Sequence, residues 1–342
     1  MKPLRVAVAG VGAMGSNHAR ILHDLDECTL VAVCDAMAPN VERAVARYGV
    51  AGYASYRDML ANEPLDALVI AVPTSLHLEV GMAALQRDLH VLIEKPIAGD
   101  LEDAKTLAAE AERRGRQLAV GHVERFNPAV RELKARLTKG ELGRILQIHA
   151  RRLGPFPPRI RDVGVVIDLA THDIDVMHHL IGGDVIRLFA ETERRINTAH
   201  EDMLSAILKF DSGAVGVLDV NWLTPTKVRD LSVLGELGMF HVNYLSQELT
   251  FYANSSARPG QDAETVSAVT EGNMVRFQIA HAEPLRVELL SFLGAVASGR
   301  PVEVGAVDGI RALRLATQLM ESAERGKAIE LVTERREVDA YQ

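Results

Sequence analysis

The sequence predicts two domains: an N-terminal α/β domain on a doubly wound parallel sheet, residues 1–121, and a C-terminal α+β domain with a large, mostly antiparallel sheet, residues 122–342. Three observations carry this. A chain of 342 residues is long for one domain at roughly 100 to 200 residues each. Between residues 4 and 120, short apolar runs without polar alternation are separated by helix-like segments, the pattern of strands covered on both faces. After about Gly121 the strands lengthen and follow one another through turns, as in a meandering sheet. A composition of 48% hydrophobic and 25% charged residues supports a large core and excludes a disordered or fibrous chain.

The first domain reads in order as the strand LRVAVAG, a helix from about Gly12, the strand LVAVCD, a helix over 41–48, the strand ALVIAVP, a helix over 78–87 and the strand HVLIEKP. A helix over 101–114, with Asp100 as its N-cap, and the strand QLAVGH complete it. A helix over 128–138 then leads to RILQIHARRL, a Pro-rich loop GPFPPRIRDVG and a helix over 165–180. The β-like stretches VIRLFAETERRI, MLSAILKF, AVGVLDVNWL, VRDLSVLGELGMFHVN and ELTFYAN follow, with Asp211-Ser212-Gly213 as a hairpin turn. Residues 254–273 read as a long polar loop, and helices over 283–298 and 307–325 close the chain.

Charge and cysteine usage narrow the function. The 38 basic and 46 acidic residues leave a net charge of −8, which argues against nucleic acid or an anionic membrane as the main partner. Arg outnumbers Lys by 30 to 8, which by itself decides nothing. Cys28 and Cys34 are too few for a disulfide framework and are not spaced as a four-ligand zinc site. No run reaches the roughly 18 to 20 apolar residues of a membrane span, and the N-terminus carries no signal-peptide pattern. A soluble cytoplasmic protein is the expectation.

Gly10-Val11-Gly12-Ala13-Met14-Gly15 follows the first strand and opens a helix, the context in which a G-x-G-x-x-G run signals a Rossmann dinucleotide turn. The first glycine allows the tight turn, the second lets a pyrophosphate approach, and the third lets helix pack on strand. Gly10, Gly12, Ala13, Met14 and Gly15 are therefore the predicted phosphate cradle. Asp35 ends the second strand 20 residues after Gly15, where a carboxylate binds the adenosine ribose hydroxyls and repels a 2′-phosphate. Neither Ala36 nor Met37 offers a guanidinium, and Arg43 is the nearest, so NAD is preferred over NADP as cofactor.

The glycine turn, Ala71-Val72-Pro73-Thr74 with His77 three residues on, Glu94-Lys95-Pro96 and Asp168-x-x-x-His172 together resemble the Gfo/Idh/MocA family of sugar and inositol oxidoreductases. The resemblance covers most of the chain. It implies that Pro73, Thr74, His77, Glu94 and Lys95 lie along the cofactor, that Lys95 sits beside the nicotinamide, and that the helix of Asp168 and His172 carries acid/base chemistry. Gly121-His122-Val123-Glu124-Arg125-Phe126-Asn127-Pro128 and the stretch PFPPRIRDVGVVIDLATHDIDVM look closer to one branch, the UDP-N-acetylglucosamine 3-dehydrogenases, which oxidise the sugar 3-hydroxyl to a ketone.

Oxidising a secondary alcohol needs a base for the hydroxyl proton and a group to steady the developing alkoxide. His172, with an ordinary pKa near about 6.5, is the expected base. Asp168, one helical turn earlier, shares its face and would hold a sugar hydroxyl or tune the imidazole, while Lys95 polarises the reacting oxygen. Arg144, Arg151, Arg152, Arg159 and Arg161 fall in a stretch without an acidic residue, and Arg159 and Arg161 are the expected diphosphate contacts. Arg125 and Asn127 match the family's substrate side and would bind sugar hydroxyls or the acetamido group.

Blander readings accompany each of these. The glycines could form a plain turn, His172 could be a satisfied core histidine, and the arginines could be a solvated face or subunit salt bridges. Asp168, His172, Asp175 and His179 fall on one helical face and raise a metal reading, but one helix places only adjacent-turn ligands on one ion, and no metal is expected. The leading expectation is an NAD-dependent dehydrogenase of UDP-N-acetylglucosamine; the alternatives are a dehydrogenase of a free sugar, inositol or other nucleotide sugar, and a non-catalytic NAD-binding regulator. One sheet face, with Val217, Leu218, Trp222 and Leu234 among its candidates, is expected to be covered by another subunit in a homodimer or homotetramer.

Overall fold

The computed structural model describes residues 3–157, 163–196, 199–255 and 271–331. The chain divides into two compact units, Met1–Phe126 with Ala282–Leu315, and Asn127–His281 with Ala316–Gln342. The first opens with β1 (Leu4–Ala9), α1 (Ala13–His23), β2 (Cys28–Cys34), α2 (Ala38–Tyr48), β3 (Ala51–Tyr53) and α3 (Tyr56–Asn62). It continues through β4 (Ala67–Ile70), α4 (His77–Leu85), β5 (His90–Glu94), α5 (Leu101–Arg113) and β6 (Leu118–Gly121). Its six strands pair in parallel in the order β3-β2-β1-β4-β5-β6. The order reverses between β1 and β4, so the crevice beyond their C-terminal ends is where such a sheet takes its ligand.

The apolar runs are buried as predicted: every residue of β4 and β6 is enclosed, as is each of Val6 to Ala9 in β1. Asp100 caps α5 by accepting the Asp103 N–H at 2.9 Å. Helix α2 begins three residues earlier than the pattern suggests, because Pro39 suits a first turn, and it ends at Gly49, whose φ is +67°. The sequence reading missed β3 and α3 altogether; three residues of strand and seven of helix are too short to show a period. Cys28 and Cys34 are buried at the two ends of β2, and burial pushes both thiols up to about 12, which makes them poor nucleophiles.

The second unit holds α6 (Pro128–Thr138), β7 (Ile145–Pro155), a π-turn over Val166–Ala170, α7 (Thr171–Ile181), β8 (Val185–Glu193), β9 (Met203–Phe210), β10 (Val215–Asn221), β11 (Leu223–Gly235), β12 (Gly238–Asn243), β13 (Glu248–Ala253) and β14 (Met274–Phe277). Helix α8 (Pro284–Ser298) returns to the first unit, where Leu285, Leu289, Phe292 and Leu293 join the core with Val6, Val8 and Ile21. Helix α9 (Ala306–Arg325) and β15 (Ile329–Glu330) end the described chain. The large sheet has nine strands, β14-β13-β12-β11-β7-β10-β9-β8-β15, and every described pairing is antiparallel except β7 with β10.

Asp211-Ser212-Gly213 forms the predicted hairpin between β9 and β10, with Gly213 at φ +90°. Three expectations need correction. VRDLSVLGELGMFHVN is a hairpin, because Gly235 and Gly238 flank a two-residue turn between β11 and β12. The helix expected over 165–180 starts as a π-turn. Leu218 and Trp222 are 1% and 2% exposed and belong to the inner face, since neighbours on a strand point to opposite sides. The outer face instead carries Leu234, Ile207, Tyr252 and Met274. No helix among the described residues is long and apolar enough to cross a membrane.

Candidate active site

In the first unit the three glycines meet three different demands. Gly10 has φ +84°, and a Cβ there would lie 2.6 Å from the Ala71 carbonyl oxygen of the neighbouring loop. At Gly15 a Cβ would sit 1.7 Å from the Gly10 oxygen, so helix and turn can approach this closely only without a side chain. Gly12 faces nothing within 4 Å, the open side a pyrophosphate needs. No side chain caps α1, whose first turn is Ala13, Met14 and Gly15, so its amides are suited to an anion.

Asp35 stands against this turn. Its Oδ2 accepts the Val11 N–H at 2.9 Å and the Asn40 amide at 3.1 Å, and its Oδ1 accepts the Met37 N–H at 2.8 Å. A carboxylate offers about four acceptor positions, so capacity for a ribose hydroxyl remains. Arg43 donates to the Asn40 side-chain oxygen. On the other side of β1, Pro73 is exposed and Thr74 half-buried in a short turn. His77 differs from expectation: it is 1% exposed, with Nδ1 2.8 Å from the Pro96 oxygen and Nε2 3.0 Å from the Val72 oxygen. Burial lowers its pKa below the usual histidine value against those carbonyls. It therefore ties the Pro73 loop to the Lys95 loop and turns no ring nitrogen toward a ligand.

Lys95 is half-buried at the end of β5, before a cis Pro96. Glu94 is buried, accepts from His18 Nε2 at 2.7 Å and takes the Lys95 N–H at 3.3 Å. Burial works against its charge, but the His18 hydrogen bond and charge and the Lys95 charge outweigh that, and the carboxyl lies below its ordinary range. Glu288 on α8 is the opposite case: neither carboxyl oxygen has a hydrogen-bond partner among the described residues, and burial plus the Glu94 charge push it well up. Arg125, 5% exposed, is held by Asp308 at 2.9 Å.

In the second unit the π-turn and α7 are fixed at several points. Val165 and Val166 N–H donate to the Glu201 backbone and side-chain oxygens at 2.9 and 3.0 Å. Arg152 grips Asp173 at both carboxylate oxygens, 2.7 and 2.9 Å, with both side chains enclosed. Lys134 Nζ donates to the His179 oxygen at 2.6 Å, and Gly182 at φ +75° ends the helix. Asp168 and His172 remain half-buried, one in the π-turn and one in the first turn of α7, so the wider turn sets their offset. Asn127 caps α6 by accepting the Ala129 N–H at 3.1 Å and donates to the Tyr244 oxygen at 3.1 Å. No metal-holding group of three occurs among the described residues.

The acid-free arginine stretch is not acid-free in space. Arg144 lies 3.2 Å from Glu236, Arg151 grips Asp230 at 2.9 and 2.6 Å, and Arg152 holds Asp173. Arg159 and Arg161, the expected diphosphate contacts, lie outside the described residues.

Residues 4–122 match the model of the oxidoreductase family with an NAD-binding Rossmann fold, and residues 130–241 match the GFO/IDH/MocA C-terminal domain. The chain belongs to the Gfo/Idh/MocA family. It is 30% identical to the UDP-N-acetylglucosamine 3-dehydrogenase of Acidithiobacillus ferrooxidans over 94% of this chain and 97% of that protein. A solved structure of that enzyme superposes with a TM-score of 0.85, covering 95% of this chain and 99% of that one. The myo-inositol 2-dehydrogenase of Thermotoga maritima is 26% identical over 96% of this chain and 98% of its own length. The WlbA dehydrogenase of Bordetella pertussis, solved with NADH and UDP-GlcNAcA, is 25% identical with a TM-score of 0.80, covering 97% and 99%.

As a Gfo/Idh/MocA protein, this is an oxidoreductase of a family of NAD(P)-dependent sugar dehydrogenases, with a dinucleotide-binding Rossmann domain. Sequence reading missed His18, Glu201 and Glu288, and it considered Asp173 only beside a metal, not as the partner of Arg152. His18 had a signal: it shares the buried α1 stripe with Gly15, Ala19 and Leu22, an odd place for a titratable ring.

Proposed function

We propose that the protein is an NAD-dependent dehydrogenase of a nucleotide sugar, oxidising the 3-hydroxyl of UDP-N-acetylglucosamine to the 3-ketone. The observation that carries the substrate is the 30% identity to such an enzyme along 94% of the chain. The glycine turn fits a dinucleotide: Gly12 leaves the approach open, and the uncapped α1 start would bind the pyrophosphate. Asp35, with Arg43 engaged on Asn40, supports ribose hydroxyls over a 2′-phosphate and so NAD over NADP.

NAD, which the glycine turn and Asp35 would hold, would supply the hydride acceptor for the sugar carbon. His172 takes the hydroxyl proton as the carbon–hydrogen bond breaks, which leaves a ketone. Lys95, carrying positive charge, polarises the hydroxyl oxygen and steadies the alkoxide as it forms. Asp168 holds a sugar hydroxyl or the imidazole in place. Arg159 and Arg161 are assigned to the diphosphate, and Arg125 and Asn127 shape the substrate side through Asp308 and Tyr244. The outer face of the nine-stranded sheet, with Ile207, Leu234, Tyr252 and Met274, is assigned to contact with a second copy in a homodimer or homotetramer.

One observation favours a second reading. Arg144, Arg151 and Arg152 each face a carboxylate, so these three give no support to a diphosphate, and inositol is the substrate of the 26% identical relative. Anaerobic incubation with NAD and a panel of UDP-sugars and inositols tests both: NADH absorbance with UDP-N-acetylglucosamine, and a C3 ketone by NMR, is the expected result. Turnover of an inositol alone would replace the first reading with the second.

A further inference from the structure

The buried ring of His18 has no place in the chemistry above. It lies on α1, three residues after Gly15, with none of its surface exposed. Its Nε2 donates across the line of β4 to Glu94 Oε1 at 2.7 Å, at the end of β5, two strands from β1. The other oxygen of the same carboxylate takes the backbone N–H of Lys95 at 3.3 Å. Little room is left beside this carboxylate: a Cβ at Gly121, the last residue of β6, would lie 2.9 Å from Glu94 Oε2. His18 Nδ1 has no hydrogen-bond partner among the described residues, so the ring's position is fixed by the Glu94 bond and packing alone.

We propose that His18 is a positioning residue whose hydrogen bond to Glu94 fixes the Lys95 loop relative to the dinucleotide turn. One carboxylate joins two segments that must be in register if pyrophosphate and nicotinamide are to be held at once. A charge-assisted hydrogen bond in an enclosed site has no water to replace it, so its loss moves the loop at the end of β5 and leaves the glycine turn intact. The inference rests on reading Lys95 as the nicotinamide-side residue.

The test compares NADH with ADP-ribose, which has the adenosine and pyrophosphate but no nicotinamide. Calorimetric titration of the full chain should show that His18→Ala weakens NADH about 10-fold or more. Its ADP-ribose affinity should stay within about 2-fold of the parent. His18→Gln, whose amide can reach the Nε2 position, should recover most of the NADH affinity. Equal losses for both ligands, no loss for either, or a glutamine variant no better than alanine would overturn the proposal. Should His18→Ala fail to melt cooperatively, Glu94→Gln must show the same split between ligands or the proposal falls. Neither titration contains a UDP-sugar or any other substrate of the proposed reaction, so a parent protein that turns over no UDP-sugar would remove the substrate reading and leave this result standing.

Discussion

Glu94 and Asp173 are buried acids, each the sequence neighbour of a residue assigned to the chemistry: Glu94 precedes Lys95, and Asp173 follows His172. Asp173 is gripped at both oxygens by one guanidinium, a planar fork that fixes position and direction together. Glu94 has one bond from an imidazole and a longer one from the Lys95 N–H, and its own charge, with burial, pushes the pKa of Glu288 up. The helix of the proposed base is thus locked to its own sheet, while the lysine loop hangs on a lighter link. Breaking the first should cost folding; breaking the second should cost ligand binding.

The comparison is sharpened first at the chemistry itself. His172→Ala should lower kcat about 10²- to 10⁴-fold, read by NADH formation, while the urea midpoint stays near the parent's. A midpoint shift as large as that of an Asp173 variant would make His172 part of the lock. Asp173→Ala removes both bonds from Asp173 to the buried Arg152 guanidinium and should cost about 3–5 kcal/mol in urea unfolding, and Asp173→Leu with Arg152→Met should recover most of it. A loss below about 1 kcal/mol would show that the fork is dispensable.

Legibility in the sequence divides along similar lines. The glycine turn was readable because its spacing follows from local demands, such as the φ of +84° at Gly10 and the close approach of Gly15 to the Gly10 oxygen. The uninterrupted apolar strands of the first unit were readable because both faces are buried. The arginines misled because their partners are remote: Arg151 meets Asp230 and Arg144 meets Glu236, 79 and 92 residues away. His77 was assigned to the cofactor by motif, but which carbonyls enclose it depends on how two loops meet.

Two smaller effects complete the series. Glu288→Met removes an unpaired buried carboxyl and should stabilise the protein by about 1–3 kcal/mol at pH 7. Because the folded carboxyl titrates above the unfolded one, the folded state keeps a proton that the unfolded state releases. Parent stability therefore falls as pH rises from the unfolded value toward the folded one, and the advantage of the variant should fade toward about pH 4. Urea titrations from pH 4 to 8 give the comparison, and a pH-independent difference would mean that Glu288 does not titrate in this range. Lys134→Met, which unties the end of α7 from the cation at His179, should cost only about 0.3–1 kcal/mol. A larger loss would make the C-terminal end of α7 part of the lock.

The π-turn over Val166–Ala170 contains one residue more than an α-helical turn would need. Taking one residue out of it would leave α7 with an unbroken ladder, and everything before the cut would rotate by roughly 100° about the helix axis. The Val165 and Val166 amides would then no longer face the Glu201 oxygens that accept from them. The widened turn thus works as a phase offset: the Glu201 contacts before it and α7 after it stay matched only while the extra residue is kept, so chain length here is constrained as well as side-chain identity.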